Sequence, residues 1–324
     1  MAENELCRGV VITNSFLRTD KFVEHYEWLQ EAAKRRHVTL DLWENAWLLL
    51  TYGNCEEVLM NGWENRLKDY SFIIFWDKDI RLGNRLQDFC HSHNIPIFNT
   101  PRSIAACDDK SETYRVLQNS RMCFDNGKGE AFPLIPTIVA PMTYTGIDYG
   151  ETEFAEHVIQ RLSLPLVVKE CFGSFGQQVY LAHDRDEVLS YTRKLAGRPF
   201  MYQKYIVKSH GVDVRLQVVG DKVVAAMKRR SGQGDFRANL SNGGTMEAYT
   251  PSTPECTIAI AATKALGLSF AGVDLLFADG EEAPAAMLCE VNSNAHFRNI
   301  ADCTGVNTAD CIMEYILEQL AESC

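Results

Sequence analysis

The order of apolar runs along the chain changes near residue 160, and this change limits the possible folds more than any other feature. Before it, apolar runs such as 9–13 and 71–76 alternate with segments of helical spacing. Strand–helix–strand units of this length favour a small parallel sheet with helices on both faces. After it, apolar runs come in pairs joined at Gly220-Asp221 and at Asp279-Gly280, as in hairpins. We therefore predict an α/β N-terminal lobe followed by an α+β half of different construction.

The first strand-to-helix turn tests whether this N-terminal lobe could bind a dinucleotide. The turn reads TNSFLRTD, so it lacks the GxGxxG pattern whose glycines let the backbone approach a pyrophosphate. We therefore interpret the lobe as a scaffold or a substrate-side lobe. With 324 residues, the chain is long enough for further lobes beyond it.

Composition argues against several classes of partner. The 43 acidic residues outnumber the 32 basic ones, which gives a formal charge of −11. Such a surface repels phosphate backbones and anionic lipid, so we expect no nucleic acid and no membrane as partners. The chain begins with an acidic, polar stretch instead of a secretory leader, and its 11 cysteines are scattered without a CxxC pair. We expect a cytoplasmic enzyme with reduced thiols.

A glycine pair separates two predicted strands, LPLVVKE and QQVYLA. Gly173 and Gly176 form a flexible loop whose backbone N–H groups can approach phosphate closely, and Lys169 ends the incoming strand. The same pattern also occurs in plain structural turns. No GxxxxGK[ST] sequence is present, so this loop is not a P-loop.

Three oxygen-bearing side chains lie on two of the most apolar predicted strands. Asp274 lies within AGVDLLFAD, and Glu290 and Asn292 end AAMLCEVN. Residues two apart on a strand point to the same face, so the pair can converge with Asp274 across the hairpin. Two carboxylates and an amide suit Mg²⁺ that carries nucleotide phosphates. The alternative is a solvated sheet face with polar residues beside a turn.

A cluster of cations follows in the segment KRRSGQGDFRANLSNGG. Its members are Lys228, Arg229, Arg230 and Arg237. One interpretation is a mobile, solvated loop. The other is an anion-binding strand end and lid, where arginine side chains grip phosphate or carboxylate through paired hydrogen bonds.

The glycine loop, the cation cluster and the metal triplet, in the order they have here, resemble the ATP-grasp superfamily and, within it, the RimK-like family of amino-acid (glutamate-type) ligases. The likeness is closest over residues 205–310 and extends back to about residue 105 through PLVVKE and CDDK. It implies a two-subdomain α+β ATP-grasp fold after the N-terminal lobe. The implied domains are 1–100, a central subdomain 101–200 with the glycine loop, and a C-terminal subdomain 201–324 with the metal site.

The resemblance also implies ATP and Mg²⁺ as cofactors, with Mn²⁺ as an alternative ion. The matching nucleotide positions are the phosphate lysines Lys110 and Lys169, the loop Gly173, Ser174, Phe175 and Gly176, the hinge Gln203, Lys204, Tyr205 and Ile206, the ribose carboxylate Asp213, and the phosphate-side and metal-side residues Arg237 and Asn239. Arg229 matches the arginine that stabilises charge on the transferred phosphoryl group, and Arg237 is its implied catalytic companion. The implied metal ligands are Asp274, Glu290 and Asn292.

Two segments depart from the family pattern. The hinge has Lys204 where many members have glutamate, which leaves backbone recognition of adenine intact but changes any side-chain contact. The segment SNAHF (293–297) follows the metal ligands where members often continue with a small residue and proline. Since that segment borders the acceptor side, the substrate can differ from that of other members.

The implied activity is a carboxylate–amine ligation through an acylphosphate, with ADP and phosphate as products. Its partners would be an amino acid and a peptide, protein tail or small molecule that bears a carboxylate or an amine, and a homo-oligomer is left open. The alternatives are a ligase that joins two free small molecules and a non-catalytic ATP-binding sensor subunit. If the carried-over roles hold, Arg229→Ala should spare ATP binding and abolish turnover, whereas loss of Glu290 should weaken Mg–ATP binding.

Overall fold

A computed structural model describes the chain over seven ranges that together contain the predicted elements. The described residues are 7–50, 66–123, 129–173, 178–232, 234–238, 243–281 and 285–322. The strands and helices fall into an N-terminal lobe, a middle sheet and a C-terminal sheet.

The N-terminal lobe is built on a parallel sheet with helices on both faces, as the alternating pattern predicts. Its described elements are β1 (Arg8–Thr13), α1 (Asp20–Arg35), β2 (Thr39–Glu44), β3 (Phe72–Phe75), α2 (Ile80–His93) and β4 (Ile97–Phe98), with strand order β2-β1-β3-β4. Successive residues of β1 point to opposite faces, so Val11 packs on the α1 side while Val10 and Ile12 pack on the α2 side.

Two helices follow where the sequence suggested one continuous helix over 103–119. They are α3 (Pro101–Asp108) and α4 (Lys110–Gln118). The break lies at Asp109, whose backbone is extended and whose side chain accepts hydrogen bonds from the N–H groups of Ser111 and Glu112. Since an N-cap of this kind starts a new helix, Lys110 becomes the first residue of α4.

The middle sheet is antiparallel and is formed by four of the strands that follow α4. After α4 the chain forms the short β5 (Met122–Cys123), β6 (Gly129–Glu130) and β7 (Thr137–Val139), then α5 (Glu153–Leu162), β8 (Leu166–Glu170), β9 (Val179–Ala182), α6 (Arg185–Lys194) and β10 (Phe200–Lys204). The strand order in the sheet is β7-β10-β8-β9. The segment LIPTIVA forms a strand only over its last part, because Pro136 lacks the N–H that a longer ladder would need.

The C-terminal sheet is antiparallel with order β13-β12-β11-β14-β15. Its elements are β11 (Val212–Val219), β12 (Lys222–Arg230), β13 (Thr245–Ala248), α7 (Thr253–Ala265), β14 (Phe270–Phe277) and β15 (Ala286–Asn292), followed by α8 (Arg298–Thr304) and α9 (Thr308–Glu322). Both predicted hairpins are confirmed, and Gly220 and Gly280 have φ of 60° and 100°, values that favour glycine. No helix in the described ranges is long and apolar enough to cross a bilayer.

The N-terminal lobe packs directly against the C-terminal sheet, and the buried Asn99 joins them. Its side-chain Nδ2 donates to the carbonyls of Phe270 and Ser293, both at 2.9 Å, and its Oδ1 accepts from the N–H of Ser269 at 2.7 Å. His25 of α1 accepts a hydrogen bond from the Phe297 N–H at 3.0 Å. The segment 293–297 is therefore held in place by the N-terminal lobe.

Asn99→Ala should lower the free energy of unfolding by about 2–3 kcal/mol, because it leaves buried carbonyl and N–H groups without partners. Chemical denaturation at constant m-value measures the loss. The exposed Asn119, whose side chain donates locally to the Arg115 carbonyl, offers a matched alanine control that should stay within about 0.5 kcal/mol of wild type. Equal losses in the two variants would contradict a bridging role for Asn99.

Candidate active site

Strand β11 has one apolar face and one polar face. Val214 and Leu216 pack against α7, whereas the alternate residues Asp213, Arg215 and Gln217 point to the opposite face of the sheet. The polar residues continue onto the neighbouring strands, since Asp213 lies opposite a residue of β12 and Arg215 opposite a residue of β14. This face of the C-terminal sheet gathers most of the predicted site.

Four charged side chains on this face form a connected group, here called the charge quartet: Asp213, Arg215, Arg229 and Asp274. Arg229 donates from Nε and Nη2 to the two oxygens of Asp213 at 2.7 and 2.6 Å. Arg215 donates in the same two-bond manner to Asp274, with both distances 2.6 Å. The Nη2 atom of Arg229 also lies 3.2 Å from Asp274 Oδ2, which links the two pairs. Each side chain is at most 14% exposed, so the quartet is shielded from water.

Burial and pairing act in opposite directions on the carboxylates of the quartet. Burial raises the pKa of Asp213, and Arg229 offsets only part of that effect. Burial also acts to raise the pKa of Asp274, but Arg215 and Arg229 together outweigh it and hold that pKa below its ordinary value. The pKa of Arg229 is raised because its two carboxylates outweigh its burial. Asp274 is therefore the more firmly ionised carboxylate of the two.

The two other predicted metal ligands lie beside the quartet. Glu290 is opposite Asp274 in the register of β14 and β15, and its Oε1 lies 3.3 Å from Lys110 Nζ. The Nδ2 atom of Asn292 donates to Asp274 Oδ2 at 3.5 Å. The structure thus brings the metal triplet together on one face and adds Lys110 to it.

A β-bulge at Cys289 decides which face Glu290 occupies. Asp274 pairs with Glu290 while the next residue, Leu275, pairs with Leu288, so Cys289 is an extra residue on β15. Leu288 packs in the core against α7, and strict alternation would place Glu290 on that same buried face. The extra residue instead turns Glu290 to the polar face, a known use of bulges near functional sites.

The donors on this face fit a magnesium ion by their chemistry. Asp274, Glu290 and Asn292 offer two carboxylates and one amide oxygen, the hard donors that Mg²⁺ prefers. In this structure Arg215 and Arg229 contact Asp274, and Lys110 contacts Glu290. Among the described ranges, no group of three or more His, Cys, Asp or Glu side chains is arranged to hold a metal.

Both predicted phosphate lysines are buried, and Lys110 contacts the glycine loop at Gly173. Lys110 Nζ donates to the Gly173 carbonyl at 2.8 Å. Lys169, only 4% exposed, places its ammonium 5.7 Å from the centre of the Tyr114 ring. Gly173 has φ of 126°, and a Cβ there would come within 2.5 Å of Gln178 Oε1, so the position requires glycine.

The predicted hinge lies where β10 leaves the middle sheet for the C-terminal sheet. Gln203 is buried, while Lys204 is exposed and its N–H donates to the Pro136 carbonyl at 2.9 Å. The Tyr205 hydroxyl and the His210 ring share a short hydrogen bond. The exposure of Lys204 means that its side chain faces solvent at this end of the strand.

Arg237 lies in the loop after β12 and pairs with a carboxylate of the same loop. Its Nε and Nη2 donate to Asp235 at 3.0 and 2.7 Å, and its guanidinium lies 5.5 Å from the centre of the Phe236 ring. The remaining predicted site residues, Ser174, Phe175, Gly176 and Asn239, lie outside the described residues. Their proposed nucleotide contacts stay predictions.

Sequence reasoning missed two residues of this site, Arg215 and Tyr114. Arg215 had a usable signal, because it lies two residues after Asp213 in a strand whose alternate residues are apolar, and so shares its face. Tyr114 lies on α4, and its hydroxyl forms hydrogen bonds with two partners that lie 89 and 174 positions further along the chain. No local pattern marks a contact of that length.

Comparison with known proteins was consistent across sequence and structure. The family described as "RimK-like ATP-grasp domain" matches residues 108–316. A "Probable alpha-L-glutamate ligase" of Mannheimia succiniciproducens is 30% identical over 260 residues, which cover 79% of this chain and 79% of that protein.

Two solved structures share the fold at low sequence identity. The RimK domain ATP-grasp protein of Sphaerobacter thermophilus has a TM-score of 0.66 at 19% identity, covering 95% of this chain and 99% of its own. The ATP-grasp ligase PsnB, complexed with a phosphomimetic variant of its minimal precursor, Mg and ADP, has a TM-score of 0.62 at 14% identity, covering 97% and 98%. At these identities the likeness speaks for the fold alone.

Proposed function

The chain belongs to the RimK-like ATP-grasp family, and we propose that it is an ATP- and Mg²⁺-dependent carboxylate–amine ligase that attaches an amino acid to a peptide, a protein tail or a small amine. The observation that carries the proposal is the polar face of the C-terminal sheet. There Asp274, Glu290 and Asn292 lie together beside two arginines and a lysine that also contacts the glycine loop.

The charges on this face suit phosphoryl transfer from ATP to a carboxylate. Lys110 contacts the glycine loop and Lys169 lies on the strand that leads into it, so both would supply buried positive charge to the phosphates of ATP. Arg215 and Arg229 are already oriented by carboxylates, so little reorganisation is needed when charge develops nearby. A Mg²⁺ ion held by Asp274, Glu290 and Asn292 would neutralise phosphate charge.

The reaction would proceed in two displacements. A substrate carboxylate oxygen attacks the γ-phosphorus and ADP leaves, and an amine nitrogen then attacks the acyl carbon, with loss of a proton and of phosphate. Because the transition state of the first step is loose, the protein contributes mainly through positioning and charge. The buried charge quartet can provide both the positioning and the charge, and its side chains are shielded from water.

ADP release tests the proposed function directly. Purified protein with Mg–ATP is screened against the twenty amino acids singly and in pairs, with and without short peptides as acceptors, and each active mixture is examined by mass spectrometry. L-glutamate is the first candidate, since a relative that is 30% identical carries the name "Probable alpha-L-glutamate ligase". Amino-acid-dependent ADP with a product one residue heavier supports the proposal. A product from two free amino acids would favour small-molecule ligation, and nucleotide binding without turnover on any acceptor would favour a sensor subunit.

Glu290→Gln should weaken binding of Mg–ATP at least about tenfold, because the variant loses a charged oxygen donor on the metal face. Calorimetry with a non-hydrolysable ATP analogue and Mg²⁺ measures the change. Glu281→Gln is the matched control, since Glu281 lies in the turn between the same two strands and pairs with Lys228 and Arg230. Unchanged affinity in Glu290→Gln would refute the metal assignment.

A further inference from the structure

Tyr114 lies at a node of hydrogen bonds between three parts of the candidate site. Its hydroxyl donates to the carbonyl of Leu288 at 3.0 Å and is 3.4 Å from that of Cys289. The same oxygen accepts a hydrogen bond from Gln203 Nε2 at 2.7 Å. Gln203 Nε2 also donates to Thr137 Oγ1 at 2.8 Å, so the node reaches the edge strand of the middle sheet.

The carbonyl end of the node lies at the β-bulge. Leu288 and Cys289 are the residues at which the register of β15 shifts, and Glu290 follows directly. A bulge leaves backbone groups of the extra residue without ladder partners, and an outside donor can satisfy them. The Tyr114 hydroxyl is such a donor, so it contacts β15 at the place that turns Glu290 to the polar face.

Burial keeps this hydroxyl in its donating form. Tyr114 is 8% exposed, and burial raises its pKa well above the ordinary value, so the proton remains on the oxygen. Its ring also faces the Lys169 ammonium at 5.7 Å, a cation–π distance. Tyr114 therefore contacts three strands: β8, which carries Lys169, the hinge strand β10, and β15, which carries two of the proposed metal ligands.

The helix that carries Tyr114 brings in the other phosphate lysine. Lys110 is the first residue of α4, and its ammonium lies 3.3 Å from Glu290 Oε1 and 2.8 Å from the Gly173 carbonyl. Residues four apart on a helix lie on the same face, so Lys110 and Tyr114 approach β15 together. Helix α4 thus forms an ion pair with Glu290 through Lys110, and a hydrogen bond to the bulge before Glu290 through Tyr114.

We infer that Tyr114 is a positioning residue that fixes the bulge of β15 to the hinge strand and so couples nucleotide binding at Gln203 to metal binding at Glu290. The inference rests on the proposed function. Tyr114 acts through other residues and holds neither the nucleotide nor the metal itself. Without its hydroxyl, the bulge carbonyls and the Gln203 amide lose a shared partner, and the hinge strand is no longer tied to the metal strand.

Tyr114→Phe tests this inference, because it removes the hydroxyl and keeps the ring. Calorimetry with a non-hydrolysable ATP analogue, with and without Mg²⁺, gives both the affinity and the gain that Mg²⁺ produces. We expect Mg–nucleotide affinity to fall about tenfold, as the loss of two buried hydrogen bonds predicts. We also expect the gain on adding Mg²⁺ to be smaller than in wild type.

Tyr202→Phe is the matched control. Tyr202 lies on the same strand as Gln203 but points to the opposite face, where its buried hydroxyl bonds to Thr192 Oγ1 at 2.7 Å. This variant should lower the thermal midpoint and leave nucleotide affinity and its Mg²⁺ dependence within about twofold of wild type. Gln203→Leu approaches the node from the hinge side and should reproduce the effect of Tyr114→Phe, including where Tyr114→Phe folds poorly.

The outcomes separate the inference from the proposed function. Wild type that binds Mg–nucleotide while Tyr114→Phe and Gln203→Leu bind it equally well, with the same Mg²⁺ dependence, would overturn the positioning role and leave the ligase proposal standing. Wild type that binds no nucleotide would overturn the proposed function and the coupling with it. Loss of affinity and of Mg²⁺ gain in both variants, against an unchanged Tyr202→Phe, establishes the role.

Discussion

Arg229→Ala should lower the free energy of unfolding by about 3–5 kcal/mol, because it leaves buried carboxylates without their cation. Asp213 would lose both of its guanidinium bonds, while Asp274 would keep its two bonds to Arg215. The structure therefore alters the expectation that this variant would spare ATP binding. Reduced nucleotide affinity should accompany reduced turnover, since Arg229 supports both the proposed ribose carboxylate and a proposed metal ligand.

Arg230→Ala is the matched control for this prediction. Arg230 is the next residue on β12, points to the other face, and forms a partly exposed ion pair with Glu281. Its loss should cost less than about 1 kcal/mol, the usual range for such pairs. Urea denaturation of both variants measures the difference, and equal destabilisation would show that the buried pairing of Arg229 contributes no more than a surface pair.

The loss in Arg229→Ala should depend on pH in a defined direction. Burial raises the pKa of Asp213 in wild type, and removal of Arg229 raises it further. A carboxyl whose pKa is raised in the folded state destabilises the protein once the pH exceeds the pKa of that carboxyl in the unfolded chain, which is about 4. The difference between variant and wild type should therefore shrink as pH falls toward that value, and a difference that grows in acid would contradict this account.

Asp274→Asn should reduce turnover at least about 100-fold, the scale on which a single oriented charge acts in an active site. The asparagine amide is neutral and cannot accept both hydrogen bonds from Arg215. Arg215 and Arg229 therefore each lose a carboxylate partner. The proposed metal face also loses one of its two carboxylates. Steady-state ADP release, with an acceptor that the ADP-release screen identifies, measures the effect.

Asp279→Asn serves as the control, since Asp279 is exposed in the turn after the same strand. It should keep turnover within about twofold of wild type. The lowered pKa of Asp274 means that its contribution to stability is present above the ordinary carboxyl range and is lost only when pH falls below that range. Turnover of Asp274→Asn within tenfold of wild type would contradict a catalytic role for Asp274.

Local sequence was sufficient for the elements that depend on near neighbours. The hairpins at Gly220 and Gly280 follow from a turn residue between apolar runs, and the shared face of Glu290 and Asn292 follows from strand alternation. The helix break at Asp109 could also have been predicted from local sequence, because aspartate is a preferred N-cap residue whose side chain accepts hydrogen bonds from the first N–H groups of a helix. Our single-helix prediction across it overlooked that signal.

Residue types and spacing therefore determined the α/β lobe, the hairpin-rich half and the shared face of Glu290 and Asn292. Only the tertiary structure decided how the charges pair, because β11, β12 and β14 become neighbours through sheet order, which places Arg229 between Asp213 and Asp274. It also decided the orientation of Glu290. A bulge at Cys289 reverses the face that strict alternation from the core residue Leu288 would assign to it. The Leu288 carbonyl at this bulge accepts a hydrogen bond from Tyr114, which lies 174 positions away in the chain. Contacts over such separations are set by the packing of whole elements, so they leave no periodic trace in the sequence.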